Sequence, residues 1–176
     1  LFLTSTLAEL QYVAFPHLLL PLSRSRPTTA PGTQLTGEIS NDVYLGVSFD
    51  VPANVTAAIC RINFHINTNA AKNAPRELSG VAPYQFSISR LAPGLNDKLT
   101  TWANRPQIIA RVEGVTLTHD GQVTIPDNEG WFDCPEGDVA QFLLYPASSR
   151  AFRYTWFELD YGWDVGGPHG ITLEMH

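Results

Sequence analysis

The chain has 176 residues, enough for one domain with a full core, a formal net charge of −6 and only 16% charged side chains. No basic block is present, which argues against nucleic acid or an anionic membrane surface as partner, and no run of about 18 apolar residues exists to span a bilayer. With 13 Gly, 13 Pro, 9 Phe, 6 Tyr and 4 Trp, the composition favours many short strands joined by turns.

Residues 1–14 are mildly apolar and read as an N-terminal arm, with the domain proper over 15–176. The opening Leu1-Phe2-Leu3-Thr4-Ser5-Thr6-Leu7-Ala8 lacks an initiator Met and fits a processed terminus, an arbitrary boundary or the tail of a signal peptide. Phe15-Pro16-His17-Leu18-Leu19-Leu20-Pro21-Leu22 carries two prolines, which rule out a helix and point to an edge or bent strand. A loop over 23–33 leads to a short strand over 33–40 and a turn at Asn41-Asp42. Residues 43–50 alternate apolar and polar, and so do 57–67; the short spacing between them suggests a hairpin.

The stretch Ala58–Asn67 is the clearest strand in the chain. Ala58, Cys60, Ile62, Phe64 and Ile66 share one face, while Arg61, Asn63, His65 and Asn67 share the other. Beyond it, 68–83 reads as a polar loop, 84–89 as a strand, and 91–106 as a long connection anchored by Trp102. Residues 107–119 supply one strand or two, and Asp120-Gly121 is a hairpin turn with a return over 122–126. Residues 127–130 turn again. Residues 139–145 are apolar on both faces, as a central strand requires, and 152–159 and 171–175 complete the set. Nine or ten short strands without an amphipathic helix predict an all-β, two-sheet antiparallel β-sandwich, jelly-roll-like.

Cys60 and Cys134 are the only cysteines. They fit one disulfide, joining elements across or between the sheets, or two buried free thiols. A bridge closing about 74 residues would stabilise by roughly 4 kcal/mol on the chain-entropy model. Asn54-Val55-Thr56 is a glycosylation sequon, with Asn54 as acceptor, and agrees with a disulfide on a secretory route.

Several stretches together resemble the C-terminal domain of the fungal But proteins, named for binding Uba-three, a subunit of a ubiquitin-like activating enzyme. They are the Phe15-Pro16 opening, the Cys60 strand after Asp50-Val51-Pro52, the Cys134-Pro135-Glu136-Gly137 segment before Phe142, and Thr100-Thr101-Trp102-Ala103-Asn104-Arg105-Pro106. The last run is also similar to a Thr-Trp-Asn-Asn-x-Pro segment of carbohydrate-associated sandwich domains, with Ala103 in place of the first Asn. The resemblance spans 15–176. It implies a sandwich fold and a secreted fungal glycoprotein, and supplies no catalytic residues.

No metal-ligand spacing, nucleophile elbow or phosphate loop is present, so neither a metal nor a cofactor is expected. His65 lies on the wet face of its strand, where a solvated side chain competes with a ligand or general base. Tyr154-Thr155-Trp156-Phe157-Glu158-Leu159-Asp160-Tyr161-Gly162-Trp163-Asp164 gathers three carboxylates and two aromatic neighbours. Glu158 and Asp160 share a strand face. With Tyr161, Trp163 and Asp164 they form a candidate sugar-stacking surface, against the plainer reading of a core strand running into a solvated acidic turn. A carboxylate pair at about 5–9 Å would also suit glycoside hydrolysis. Trp102 reads as a plug on the core, with Asn104 bonding its own loop.

The leading expectation is a non-catalytic, extracellular, wall- or surface-associated protein that binds glycan or protein. The alternative is a small cyclase or isomerase acting on a hydrophobic intermediate, with His65, Tyr154 and Asp160 as acid–base groups in a pocket between the sheets. An intracellular adaptor is a third reading, which a disulfide would oppose.

Overall fold

The computed structural model describes residues 8–135 and 137–176. Thirteen strands run in chain order among the described residues. They are β1 (Tyr12–Ala14), β2 (Leu18–Ser23), β3 (Thr36–Ser40), β4 (Val43–Asp50), β5 (Ile59–His65), β6 (Arg76–Gly80), β7 (Tyr84–Leu91), β8 (Ile108–Leu117), β9 (Val123–Thr124), β10 (Trp131–Asp133), β11 (Val139–Pro146), β12 (Phe152–Phe157) and β13 (Gly170–Met175). A 3-10 turn, Trp163–Val165, interrupts the last connection. The architecture is the expected all-β antiparallel sandwich, but hydrogen bonding is divided among three sheets rather than the two expected. The first sheet orders β1-β13-β5-β10, the second β2-β4-β11-β7-β8-β9, and the third β3-β12-β6. An isolated bridge between Leu159 and His169 stitches the third sheet to the first. Of the residues expected to form the N-terminal arm, 1–7 lie outside the described residues and Tyr12–Ala14 pairs with β13. Among the described residues no helix is long and apolar enough to cross a membrane.

The dry face of β5 meets that of β13 in register, with Cys60, Ile62 and Phe64 opposite Met175, Leu173 and Ile171. Aromatic side chains from all three sheets converge behind them. Phe64 lies 4.8 Å from Trp156 and 5.6 Å from Phe86, ring centre to ring centre, both edge-on. Burying each such side chain is worth about 1.5–3 kcal/mol. β11 lies inside the second sheet and is buried on both faces, as its unbroken apolar run predicts. Its outer side chain Leu143 joins Leu20, Leu22, Leu91 and Leu95 in a second cluster, roofed by the 91–106 connection. Trp102 plugs that roof, edge-on to Tyr44 at 5.1 Å with the Arg105 guanidinium 3.5 Å from its ring. Asn104 accepts from Thr101 N at 2.7 Å and donates to Leu99 O at 2.9 Å, closing its own loop.

Three expectations are corrected. β4 and β5 are not a hairpin: β4 pairs with β2 and β11, and β5 with β13 and β10. β4 is buried along most of both faces and needs neighbours inside a covered sheet, whereas β5 has one dry face only. Residues 68–83 are not loop throughout, because Arg76–Gly80 forms β6, whose single large apolar residue, Leu78, leaves no alternation to read. Cys60 and Cys134 are bridged, with Cα atoms 5.0 Å apart, but within the first sheet rather than across the layers. β10 lies against β5, with Phe132 opposite Cys60, which brings Cys134 alongside.

The first described strand and the last lie side by side. Tyr12 pairs with Met175, Gln11 N donates to Met175 O at 2.8 Å, and His176 Nδ1 lies 3.2 Å from Ala8 O.

Candidate ligand pocket on the first sheet

Cross-strand partners share a sheet face. The wet face of β5 therefore continues into β13: Arg61 lies opposite Glu174, Asn63 opposite Thr172, and His65 opposite Gly170. Over the His65 end folds the 159–169 connection, held by amides from the segment after β5. Asn67 Nδ2 donates to Val165 O at 3.1 Å and to Gly167 O at 2.6 Å, and Asn69 Nδ2 donates to Val165 O at 3.1 Å. Gly166 adopts a φ of +103°, and a Cβ there would press within 2.9 Å of the Asn67 amide.

The fold-over creates a cavity of about 250 Å³. Asn63, Thr172 and Glu174 form its polar part; His65, Tyr161 and Trp163 form an aromatic part; Leu10, Val13 and Phe15 add apolar surface, and Asp160 also lines it. Trp163 stands edge-on to His65 at 4.8 Å and is 68% exposed. Tyr161 is half-buried, with Lys72 Nζ 5.0 Å from its ring centre. His65 Nδ1 sits 2.6 Å from the Pro168 carbonyl oxygen. A carbonyl only accepts, so Nδ1 carries a proton. Glu174 accepts from Asn63 Nδ2 at 2.9 Å and lies 3.5 Å from His176 Nε2.

An adjoining cavity of about 290 Å³ shares Phe15 and Asp160 and reaches His17, Thr33 and Glu158. Glu158 and Asp160 thus line one cavity, although both lie beyond the end of β12 at Phe157 rather than on a strand face. Their environments differ. Asp160 is exposed, while the Glu158 carboxylate accepts from Trp156 Nε1 at 2.7 Å and from Ile171 N at 3.2 Å. It presses on Gly170, whose φ of +129° and missing side chain leave the room. Burial pushes the Glu158 carboxyl up to about 8, against the pull of those two donors. Glu158 is therefore a clip between β12 and β13 as much as a cavity wall.

Other candidates separate. Asp164 is exposed in the 3-10 turn and lines neither cavity. Tyr154 is a correction: it is fully buried in the aromatic core, and its hydroxyl donates to Gly121 O at 3.4 Å. Burial raises its phenol far above the usual range. It does not join His65 and Asp160. The space between the sheets that an enzymatic reading would use is filled there by Phe64, Phe86, Tyr154 and Trp156.

Sequence reasoning missed the polar side chains Thr172 and Glu174, because only the β5–β13 register brings them beside Asn63. It also missed two buried titratable groups. His169 is fully buried and accepts from Asn67 N at Nδ1, so its Nε2 donates to Pro75 O at 3.0 Å; burial keeps its pKa low. Glu113 on β8 is fully buried, and neither carboxylate oxygen has a hydrogen-bond partner among the described residues. Asn54 and Thr56 of the sequon are exposed in the connection between β4 and β5.

Fold and pocket together define a disulfide-tied antiparallel sandwich domain with a small aromatic and polar pocket on one sheet face. A family model described as the Ubiquitin 3 binding protein But2 C-terminal domain matches residues 14–158, and the chain belongs to that family. No curated protein matches the sequence.

Proposed function

We propose that this chain is an extracellular, non-catalytic binding module, and that the pocket on the first sheet takes a sugar unit of a wall or surface glycan. The observation that carries this reading is Trp163, a large aromatic plane left 68% exposed beside a pocket containing Asn63, Thr172 and Glu174. Sugar rings present apolar faces edged by hydroxyls, so they suit a flat aromatic next to planar donors and acceptors. The Cys60–Cys134 bridge supports an oxidising compartment, and exposed Asn54 suits N-glycosylation on the same route. Trp163→Ala weakens retention on insoluble fungal wall polysaccharide about tenfold, the loss of one stacking contact; unchanged retention removes this surface from consideration.

A protein partner is the second reading. It is favoured by the family description, which names But2 as a ubiquitin 3 binding protein.

A further inference from the structure

β6 pairs with β12 and, among the described residues, with no other strand, so one of its edges is open. The direction of that edge follows from two bonds at its ends. Phe157 N donates to Pro75 O at 3.0 Å, and Val81 N donates to Ala151 O at 2.8 Å. In an antiparallel ladder the main-chain groups of alternate residues point to opposite sides. Residues 75, 77, 79 and 81 therefore turn toward β12, and Arg76, Leu78 and Gly80 turn their N–H and C=O groups away from it. Among the described residues none of those outward groups has another main-chain or side-chain partner.

This edge borders the largest of the described cavities, an open slot of about 530 Å³. Residues 73–78 form one wall and the 119–121 turn forms the other. The turn is held in place by the edge strand and its neighbour: Arg76 Nε of β6 donates to Asp120 O at 3.2 Å, and Tyr154 OH of β12 donates to Gly121 O at 3.4 Å. Gly121 permits the approach, since a Cβ there would come within 3.2 Å of Arg76 Nε.

Sheet edges left open are ordinarily blunted by lysines, bulges or a covering loop. β6 carries no lysine and no bulge in its pairing with β12; Pro75 delimits its start, and the 119–121 turn forms the far wall of the slot. We propose that β6 is a docking edge to which an extended segment of a partner polypeptide adds as a further strand of the third sheet, seated in the slot closed by the 119–121 turn. Only a main chain offers alternating donors and acceptors at the strand repeat of about 6.6 Å per residue pair. A glycan or a lipid surface has no such period. The charged side chains along the slot are of both signs, Arg76 against Glu77 and Asp120, which fits a segment of low net charge. The proposal does not depend on the pocket at Trp163.

The test uses the full chain and a phage-displayed library of nine-residue peptides. Enriched peptides bind the protein, slow amide hydrogen exchange at Arg76, Leu78 and Gly80, and lose at least about tenfold in affinity to Leu78→Pro. That substitution removes an outward N–H and spares the ladder with β12. Because Leu78 also packs on the core, the exchange pattern of the unsubstituted protein is the deciding readout. The proposal is overturned by absence of enrichment, by peptides that protect other residues, or by protection of the same amides on raising protein concentration alone, which would assign the edge to a second copy of this chain.

Discussion

Glu113 is fully buried on β8, with neither carboxylate oxygen bonded among the described residues. Its carboxyl lies beneath the turn that ends at Gly130, where a φ of +86° and the absence of a side chain leave it space. Burial raises its pKa to about 8, partly opposed by Arg61 and Arg111 and reinforced by Glu129 and Glu174. Glu158 is raised to about 8 by the same cause. Both acids hold a proton in the folded chain that the unfolded chain releases above the ordinary value of 4.5. The unfolded state therefore binds fewer protons between those limits, and stability falls as pH rises through them, by at most about 1.4 kcal/mol per unit for each group. Melting temperature declines from about pH 5 to about pH 8, most steeply above about pH 6.5 where buried, neutral His169 no longer opposes the decline, and Glu113→Gln flattens it; thermal melts at half-unit pH steps check this. Below about pH 4 the sign reverses through Asp42, whose carboxylate is held low by the Ser23 and Ser25 hydroxyls. The sequence did carry a trace of Glu113: it shares an alternating face with Val115 and Leu117, both core residues. An acid in that phase signals an inward carboxyl.

Single elements were legible where one face is dry and one is wet, and partnerships were not. β5, β7 and β11 announce themselves by alternation or by an unbroken apolar run. Which strand lies beside which is decided elsewhere, by two-sided burial of β4 and by the register of β5 against β13. The same limit applied to the site: Asn63 and His65 were visible as one polar face, while Thr172 and Glu174 required the pairing. The 91–106 connection was recognised by Trp102, yet its main tether is Gln141, a polar residue inside an apolar strand. Gln141 Oε1 accepts from Gly94 N at 2.8 Å and Leu95 N at 2.9 Å, and its amide donates to Ser48 Oγ at 2.9 Å. Gln141→Leu leaves two N–H groups and a buried hydroxyl unsatisfied and costs about 2–4 kcal/mol. Urea unfolding measures the loss, and faster amide exchange at Gly94 and Leu95 locates it.

At the scale of the whole molecule, one covalent tie restrains a long excursion of the chain. Cys60 and Cys134 are 74 residues apart in sequence, and the bridge encloses β6 through β10. Reduction lowers unfolding free energy by about 4 kcal/mol on the loop-entropy model, read from urea midpoints with and without reductant. Thiol titration of the unfolded, unreduced protein finds no reactive thiol; two would reject the bridge and, with it, the main support for the proposed extracellular location.

With β1 lying beside β13, the described chain from Leu10 to His176 nearly closes on itself as a ring. A linker of a few residues from His176 back to Leu10 would complete it, and a cut in the exposed 147–151 turn would reopen it as a circular permutant with its strand partnerships kept. Because Leu10 also lines the pocket beside Trp163, a group attached at Leu10 stands at the rim of that pocket. Permutation moves the attachment point away from the rim, so the two formats separate crowding of the pocket from any intrinsic weakness in binding.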